Sequence, residues 1–126
     1  MTFGLDVRVL GHPSDVSVQK STRQAAFRIL QEALANVARH AKARRVRVGV
    51  RVTAHKIYLK VVDDGRGFAS KQMPGTSMNH MGLRTMRDRA ELLGGTLTVY
   101  SRYGHGTCVR AVLPNTPGSA TTTEAA

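Results

Sequence analysis

The stretch RVRVGVRVTAHKIYLKVV, residues 45–62, contains two alternating segments separated by a short polar break. Valine occupies every second position from 46 to 52, and the positions between are mostly arginine. After the break TAHK, the segment IYLKVV places Ile57, Leu59 and Val61 at alternate positions. Period-two alternation is typical of a strand with one buried face and one solvated face. The stretch therefore predicts a β-hairpin in a sheet that is covered on one side only.

Segments on both sides of this hairpin extend the predicted sheet. GLDVRVL at 4–10 alternates in the same way and predicts a first strand. TLTVY at 96–100 and TCVRAVL at 107–113 flank the glycine-containing segment SRYGHG. This arrangement predicts a final hairpin.

Two amphipathic segments can supply the layer that covers the sheet. The first runs from about Lys20 to Lys42, with Ser21 or Thr22 as a candidate cap. Its predicted core stripe consists of Phe27, Leu30, Leu34, Val37 and Ala41. The second segment has the stripe Leu83, Met86, Ala90 and Leu93, and it ends at Gly94 and Gly95. We expect an α+β fold, with helices on one face of a mostly antiparallel mixed sheet.

Length and composition indicate one domain. With 126 residues, 41% of them hydrophobic, the chain can build a single core. We expect the domain to span 1–114 and the polar segment 115–126 to be a disordered tail. Cys108 has no second cysteine to pair with, and no apolar run is long enough to span a membrane. A cytoplasmic location is therefore expected.

The charge balance predicts an anionic partner. The formal net charge is +11, and basic residues are dense between Arg39 and Arg51. Because the chain has no tryptophan and only three tyrosines, a stacking platform for single-stranded nucleic acid is poorly supported. A basic nucleic-acid-binding module that uses residues 44–51 stays open as an alternative function.

The first predicted helix carries four polar residues on one side. Glu32, Asn36, Arg39 and His40 fall within about 100° of arc at 100° per residue. Such a set can simply be a solvated helix face. It also contains what a nucleotide site needs, because a carboxylate can accept a proton and a carboxamide oxygen can ligate Mg²⁺.

Three further motifs combine glycine with polar residues. DDGRGF at 63–68 follows a strand, NHMGLRTM at 79–86 opens a helix, and GHGT at 104–107 lies in a hairpin. Each can be an ordinary turn or helix start. Glycine also lets the backbone approach a flat ligand, and a helix N-terminus can bind phosphate. Neither a P-loop pattern nor a dinucleotide-binding glycine pattern is present.

In this order, the segments QEALANVARHA, DDGRGF, HMGLRTMRDRAELLGG and GHGTCVRAVLP resemble the boxes of one family. They are similar to the GHKL ATPase domain of sensor histidine kinases, which has the Bergerat fold, a two-layer α/β sandwich. The match is closest to the nitrate-sensor and lipid-sensor subfamily and covers roughly residues 5–114. The resemblance implies ATP and Mg²⁺ as cofactors.

The resemblance also implies a role for individual residues. Glu32 would be catalytic, Asn36 would ligate Mg²⁺, Arg39 would contact phosphate, and His40 would lie near adenine or ribose. Asp63 would accept a hydrogen bond from the adenine amino group. The other implied nucleotide contacts are Gly65, Gly67, Phe68, Gly82, Leu83 and Thr107, with Thr107 beside Asp63. Residues 69–81 would form a lid over ATP.

The implied activity is donation of the γ-phosphate of ATP to a histidine on a dimerisation and phosphoacceptor module. None of the five histidines stands on a predicted helix with an acid after it, so we expect that module to be absent from this chain. A response regulator would be an indirect partner, and the isolated domain would be monomeric. Neither membrane contact nor nucleic-acid binding is expected. A free-standing ATPase of the same fold or an anti-sigma-type serine kinase is the alternative.

Overall fold

The computed structural model describes residues 4–10, 18–41, 43–67 and 82–115, and for residues 4–10, 40 and 41 it describes the backbone alone. The strands are β1 (Gly4–Leu10), β2 (Arg45–Val52), β3 (Lys56–Asp63), β4 (Thr96–Arg102) and β5 (Gly106–Pro114). The helices are α1 (Lys20–Asn36) and α2 (Leu83–Leu92), and a π-helical turn (Val37–Ala41) follows α1 directly.

The five strands form one mixed sheet in the order β1-β2-β3-β5-β4. β1 pairs with β2 in parallel, and all the other pairs are antiparallel. In the β2–β3 hairpin Val48 lies opposite Val61, and in the β3–β5 pair Asp63 lies opposite Thr107. Both predicted hairpins are therefore confirmed.

Both helices pack on the same face of the sheet, α1 against β3 and β5 and α2 against β4 and β5. Alternate strand residues turn toward the helices and are buried, as with Ile57, Leu59 and Val61 on β3. This confirms the predicted α+β class with two layers. Neither of the two helices in the described ranges is long and apolar enough to span a membrane.

The core stripe predicted for α1 is wrong in detail. Phe27 is 59% exposed, whereas Ala25, Ile29 and Ala33 are buried. Leu30 and Leu34 pack only at the margin of the core. Small alanines let the helix lie close to the sheet, but they contribute little to an apolar pattern, so the larger residues dominated the prediction.

The ends of α1 also differ from the prediction. Gln19 is the N-cap residue, and no side chain caps the helix. Thr22, a predicted cap, is buried and its hydroxyl donates a hydrogen bond to the Pro114 carbonyl at 2.9 Å. The α-helix ends at Asn36 rather than continuing to Lys42, because the chain widens into the π-helical turn.

The C-terminal end of α2 follows the prediction. Gly94 has a positive φ of 82°, which a glycine adopts without steric penalty. Its N–H donates to the Glu91 carbonyl, and the Gly95 N–H donates to the Ala90 carbonyl, both at 2.9 Å. This pair of hydrogen bonds is a Schellman motif, and it turns the chain directly into β4.

Asn115, the residue after the expected domain end, packs against the fold. Asn115 is fully buried, and its backbone N–H donates to the His55 carbonyl at 2.7 Å. Its side-chain amide donates to the Thr53 carbonyl at 3.0 Å and accepts from the Gln19 N–H at 3.2 Å. Asn115 thus connects the start of α1 to the β2–β3 turn. These long-range hydrogen bonds cannot be inferred from the polar composition of the segment. Residues 116–126, the rest of the predicted tail, lie outside the described residues.

Candidate functional site

Three of the four predicted polar residues of the first helix meet where α1 ends. Glu32 and Asn36 lie on the last two turns of α1, and Arg39 lies in the π-helical turn. The Arg39 Nη2 atom is 3.4 Å from the Glu32 Oε2 atom and 3.5 Å from the Asn36 Oδ1 atom. The result is a carboxylate, a carboxamide and a guanidinium in one cluster. The side chain of His40 lies outside the described residues.

Asn36 is more buried than the sequence suggests. It belongs to the polar set that the sequence places on one side of the helix, yet it is only 8% exposed and directly precedes the buried Val37. The exposed Phe27 shows that the predicted core stripe lies on the wrong side of α1. Asn36 lies on the side of the helix that faces the sheet. Its carboxamide is therefore fixed in the protein interior, next to the exposed Arg39.

Gly82 lies directly against Glu32. It is the N-cap of α2 with a positive φ of 68°, and a Cβ atom added there would lie 2.5 Å from the Glu32 Oε2 atom. The positive φ is what favours glycine here, because the Glu32 carboxylate is the end of a flexible side chain and can move away from a Cβ atom. The N-terminus of α2 thus meets the carboxylate at the end of α1. The Leu83 side chain, 2% exposed, belongs to the core, so only the backbone of Leu83 can face a nucleotide.

Asp63 stands at the end of β3 with its carboxylate turned inward. It is 6% exposed and accepts hydrogen bonds from the backbone N–H groups of Gly65, at 2.8 Å, and Thr107. Burial raises the pKa of Asp63 above its ordinary value, against the opposing effect of these hydrogen bonds; nearby Asp64 raises the pKa further. A buried acid with a perturbed pKa is a candidate functional group.

A hydroxyl pair lies next to Asp63. The Thr107 hydroxyl is 2.8 Å from the hydroxyl of Ser101, which also donates to the Gly106 carbonyl at 3.1 Å. Sequence reasoning did not identify Ser101, which is 5% exposed. The available signal was its position, since Ser101 continues the buried alternation of Leu97 and Val99 along β4.

Two glycines keep this corner compact. Gly106 has a φ of 87°, and a Cβ atom there would collide with the Asp63 carbonyl oxygen. Gly67 has a φ of 66°, and its Cβ atom would collide with the Arg102 carbonyl oxygen. Gly65, two residues before Gly67, is buried. Phe68 and the predicted lid, residues 69–81, lie outside the described residues.

The donor set suits a magnesium ion that is held mainly by its nucleotide. Among the described residues, no group of three His, Cys, Asp or Glu side chains could hold a metal by itself. Mg²⁺ typically takes one or two protein oxygens and completes its shell with phosphate and water. The Asn36 carboxamide oxygen and the neighbouring Glu32 carboxylate fit that requirement.

The two-layer α+β domain combines an amide and a carboxylate at one helix end, a glycine that opens the second helix, and a buried aspartate. These are the residue types that the sequence motifs predict for a nucleotide site. The chain belongs to the family described as "Histidine kinase-, DNA gyrase B-, and HSP90-like ATPase", whose model matches residues 21–117. It is thus an ATP-binding domain of that family, and the predicted resemblance is confirmed.

Relatives agree with this assignment. The chain is 39% identical to sensor histidine kinase LiaS of Bacillus subtilis, over 82% of this chain and 28% of the relative. It is 31% identical to the histidine-protein kinase/phosphatase DegS of the same species, over 83% of this chain and 27% of the relative. The chain therefore spans just over a quarter of the length of these relatives.

Solved structures share the fold. The histidine kinase domain of the Erythrobacter litoralis EL346 blue-light activated kinase matches with a TM-score of 0.68 and 25% identity, covering 96% of this chain and 56% of that chain. Acinetobacter baumannii histidine kinase AdeS matches with a TM-score of 0.69 and 17% identity, covering 90% and 54%. At 17% identity the second match supports the fold alone.

Proposed function

We propose that this domain holds Mg-ATP and positions its γ-phosphate for transfer to a histidine on a separate dimerisation and phosphoacceptor module. The observation that carries the proposal is the contact between the Glu32 carboxylate and Gly82, which brings the polar end of α1 to the N-terminus of α2. The relatives' names, which describe histidine kinases, support this reading over a serine kinase or a free-standing ATPase.

At the adenine end, the Asp63 carboxylate accepts a hydrogen bond from the 6-amino group. The 6-oxo group of guanine would face the same carboxylate without a proton to donate, so ATP is preferred over GTP. Thr107 lies opposite Asp63 in the β3–β5 register and borders the base. Gly65, Gly67 and Phe68 complete the pocket wall in this proposal.

At the phosphate end, Asn36 supplies the carboxamide oxygen for Mg²⁺, and Arg39 neutralises phosphate charge. Mg²⁺, when bound, draws charge from the phosphate oxygens and fixes their geometry. The backbone N–H groups after Gly82 point along the start of α2, where they favour an anion. His40 contacts the nucleotide, and Glu32 orients or deprotonates the attacking group.

The histidine that receives phosphate belongs to another module. Among the described residues, His55 and His105 are exposed in turns between strands, so neither follows the helical pattern expected of an acceptor. A response regulator would take the phosphate in a later step. We further propose that the domain works in the cytoplasm and is monomeric when isolated.

Phosphate transfer in trans tests the proposal. The chain is incubated with labelled Mg-ATP, with and without the dimerisation helices of its kinase, and acid-labile phosphate is measured on each partner. We expect phosphate only on the added helices. Glu32→Gln should slow the transfer roughly a hundredfold, the scale of general acid–base catalysis. Glu91→Gln is the matched control, because Glu91 is an exposed α2 residue paired with Arg87.

Two results would contradict this function. Stoichiometric acid-labile phosphate on the isolated chain, lost in His40→Ala, would show that the acceptor lies within the domain. Equal calorimetric affinities for ATP and GTP would remove the role assigned to Asp63.

A further inference from the structure

The face of the sheet opposite the helices is strongly basic. It consists of the β2–β5 residues that alternate with the buried ones, and we call it the open face. Its cations are Arg45, Arg47, Arg51, Lys56, Lys60, Arg102 and Arg110, all of them exposed. No acid stands among the open-face positions of these four strands. In register, the backbone of β1 pairs Asp6 with Arg47 and Arg8 with Gly49.

Two of these cations lie directly opposite each other. Lys60 on β3 pairs with Arg110 on β5 in the antiparallel register. Like charges in directly opposed cross-strand positions destabilise a sheet, and no carboxylate of the described residues pairs with either side chain. Proteins tolerate such an unfavourable pair mainly where a functional site requires it. The pair therefore points to an anion that binds from outside.

The tyrosines of the open face do not form a stacking platform. The Arg51 guanidinium already lies over the Tyr58 ring, 5.9 Å from its centroid. Tyr100 lies two strands away and is offset by four residues in register, which separates the two rings by roughly 16 Å. Successive bases of a single strand need rings much closer together. The open face belongs to a five-stranded sheet, which is wider than the two-stranded ribbon that the major groove of duplex DNA admits.

The spacing of the cations fits an acidic helix. Arg45 and Arg47 are two residues apart on β2, which separates them by roughly 6.7 Å along the strand. Carboxylates at i and i+4 on a helix are about 6 Å apart. Lys60 on β3 widens the patch by one strand spacing and Arg110 on β5 by two, at about 4.8 Å for each spacing. We propose that the open face docks an acidic helix of a partner protein, whose carboxylates recur at i, i+4.

This docking is independent of the nucleotide site. Glu32, Asn36 and Asp63 all lie in the helix-covered layer or face it, so a partner on the open face leaves them accessible. ATP affinity should therefore be unchanged by substitutions on the open face.

Two synthetic peptides of identical composition test the proposal. Both are alanine-based helices of roughly 20 residues, long enough to be helical in water. In one, glutamates recur at i, i+4 in a stripe, and in the other the same glutamates are scattered around the helix. At about 0.15 M salt, where distant charges are largely screened, the striped peptide should bind more tightly.

Lys60→Glu should weaken binding of the striped peptide roughly fivefold to twentyfold, because attraction becomes repulsion at the centre of the patch. Arg23→Glu is the matched control: it makes the same charge change on the exposed side of α1, and it should change the affinity less than about twofold. Lys60→Glu should also raise the Tm, since it replaces a like-charge pair with an opposite one. Arg47→Glu provides a second variant with the same expected loss of binding.

Three results would overturn the proposal. Equal affinity for the two peptides would show attraction by net charge alone. Equal losses in Lys60→Glu and Arg23→Glu would show that the open face is not the binding surface. Tighter binding of a duplex DNA of the same charge than of the striped peptide, at the same salt concentration, would make nucleic acid the occupant instead.

Discussion

Asp63 and Asp64 are adjacent in the chain and have opposite environments. Asp63 is buried, and burial raises its pKa. Asp64 is exposed, and its Oδ1 atom accepts the backbone N–H groups of Arg44 and Arg45, each at 2.9 Å. The hydrogen bond from Arg45 is the largest cause that lowers the pKa of Asp64. The two carboxylates therefore have opposite effects on the stability of the fold.

The comparison distinguishes an acid with a structural role from one that we propose to bind the nucleotide. Asp64 joins the end of β3 to the start of β2, and its hydrogen bonds explain why an acid is present. Asp63 places a carboxyl group where burial disfavours the charged form, although the backbone N–H groups of Gly65 and Thr107 favour it. A carboxylate kept against its desolvation penalty is what a binding site for a hydrogen-bond donor requires.

The largest predicted loss of stability comes from a substitution at Gly106, which packs against the backbone of Asp63. Gly106→Ala forces a positive φ on alanine and drives a Cβ atom into the Asp63 carbonyl oxygen. We expect a loss of about 2–5 kcal/mol in unfolding free energy, combining left-handed strain with overpacking. Urea denaturation measures it.

Gly104→Ala is the control for that substitution. Gly104 has a φ of 81°, but a Cβ atom there meets nothing within 4 Å. Gly104→Ala should lower the unfolding free energy only by the strain of the left-handed conformation, about 1–2 kcal/mol. If the two variants lost the same stability, close packing against Asp63 would not be what requires glycine at 106.

The second prediction concerns ligand affinity. Asp63→Asn keeps an oxygen that can accept the Gly65 N–H but removes the charge, so ATP binding should weaken by about 1.5–3 kcal/mol. Asp64→Asn should leave ATP affinity unchanged. Calorimetry measures the ATP affinity of both variants. An equal loss of affinity in the two would show that Asp63 has no special role in binding ATP.

The strands and the family could be read from the sequence because their signals are local. Alternating valines predict β2, and the ordered glycine motifs indicate the family. The side of α1 that faces the sheet could not be read, because Phe27 and Ile29 are both apolar and only packing chooses between them. Ser101 was missed because its partner Thr107 becomes a neighbour only through the β4–β5 register.

The third prediction is a pH profile for Asp63. Its pKa is raised in the folded state, so the wild type loses stability as pH rises from the ordinary value of 3.8 through the raised value. The asparagine of Asp63→Asn does not titrate, so the variant does not lose stability over this pH range. The Tm of the variant should therefore exceed that of the wild type at neutral pH, with the difference disappearing below pH 3.8. A variant that is less stable at neutral pH would show that the charge is stabilising.

The smallest predicted change in Tm is that of Asp64→Asn, and its pH dependence should be opposite in sign to that of Asp63→Asn. Its pKa is lowered in the folded state, so its stabilisation is present above 3.8 and is lost as pH falls through the lowered value. Asp64→Asn should have a lower Tm than the wild type at neutral pH and converge with it in acid. Because Asp64 is exposed, added salt should shrink this difference, whereas the Asp63 difference arises mainly from burial and should persist. Thermal unfolding of both variants across pH and salt measures the two trends, and profiles of the same sign would contradict the opposite environments of these neighbours.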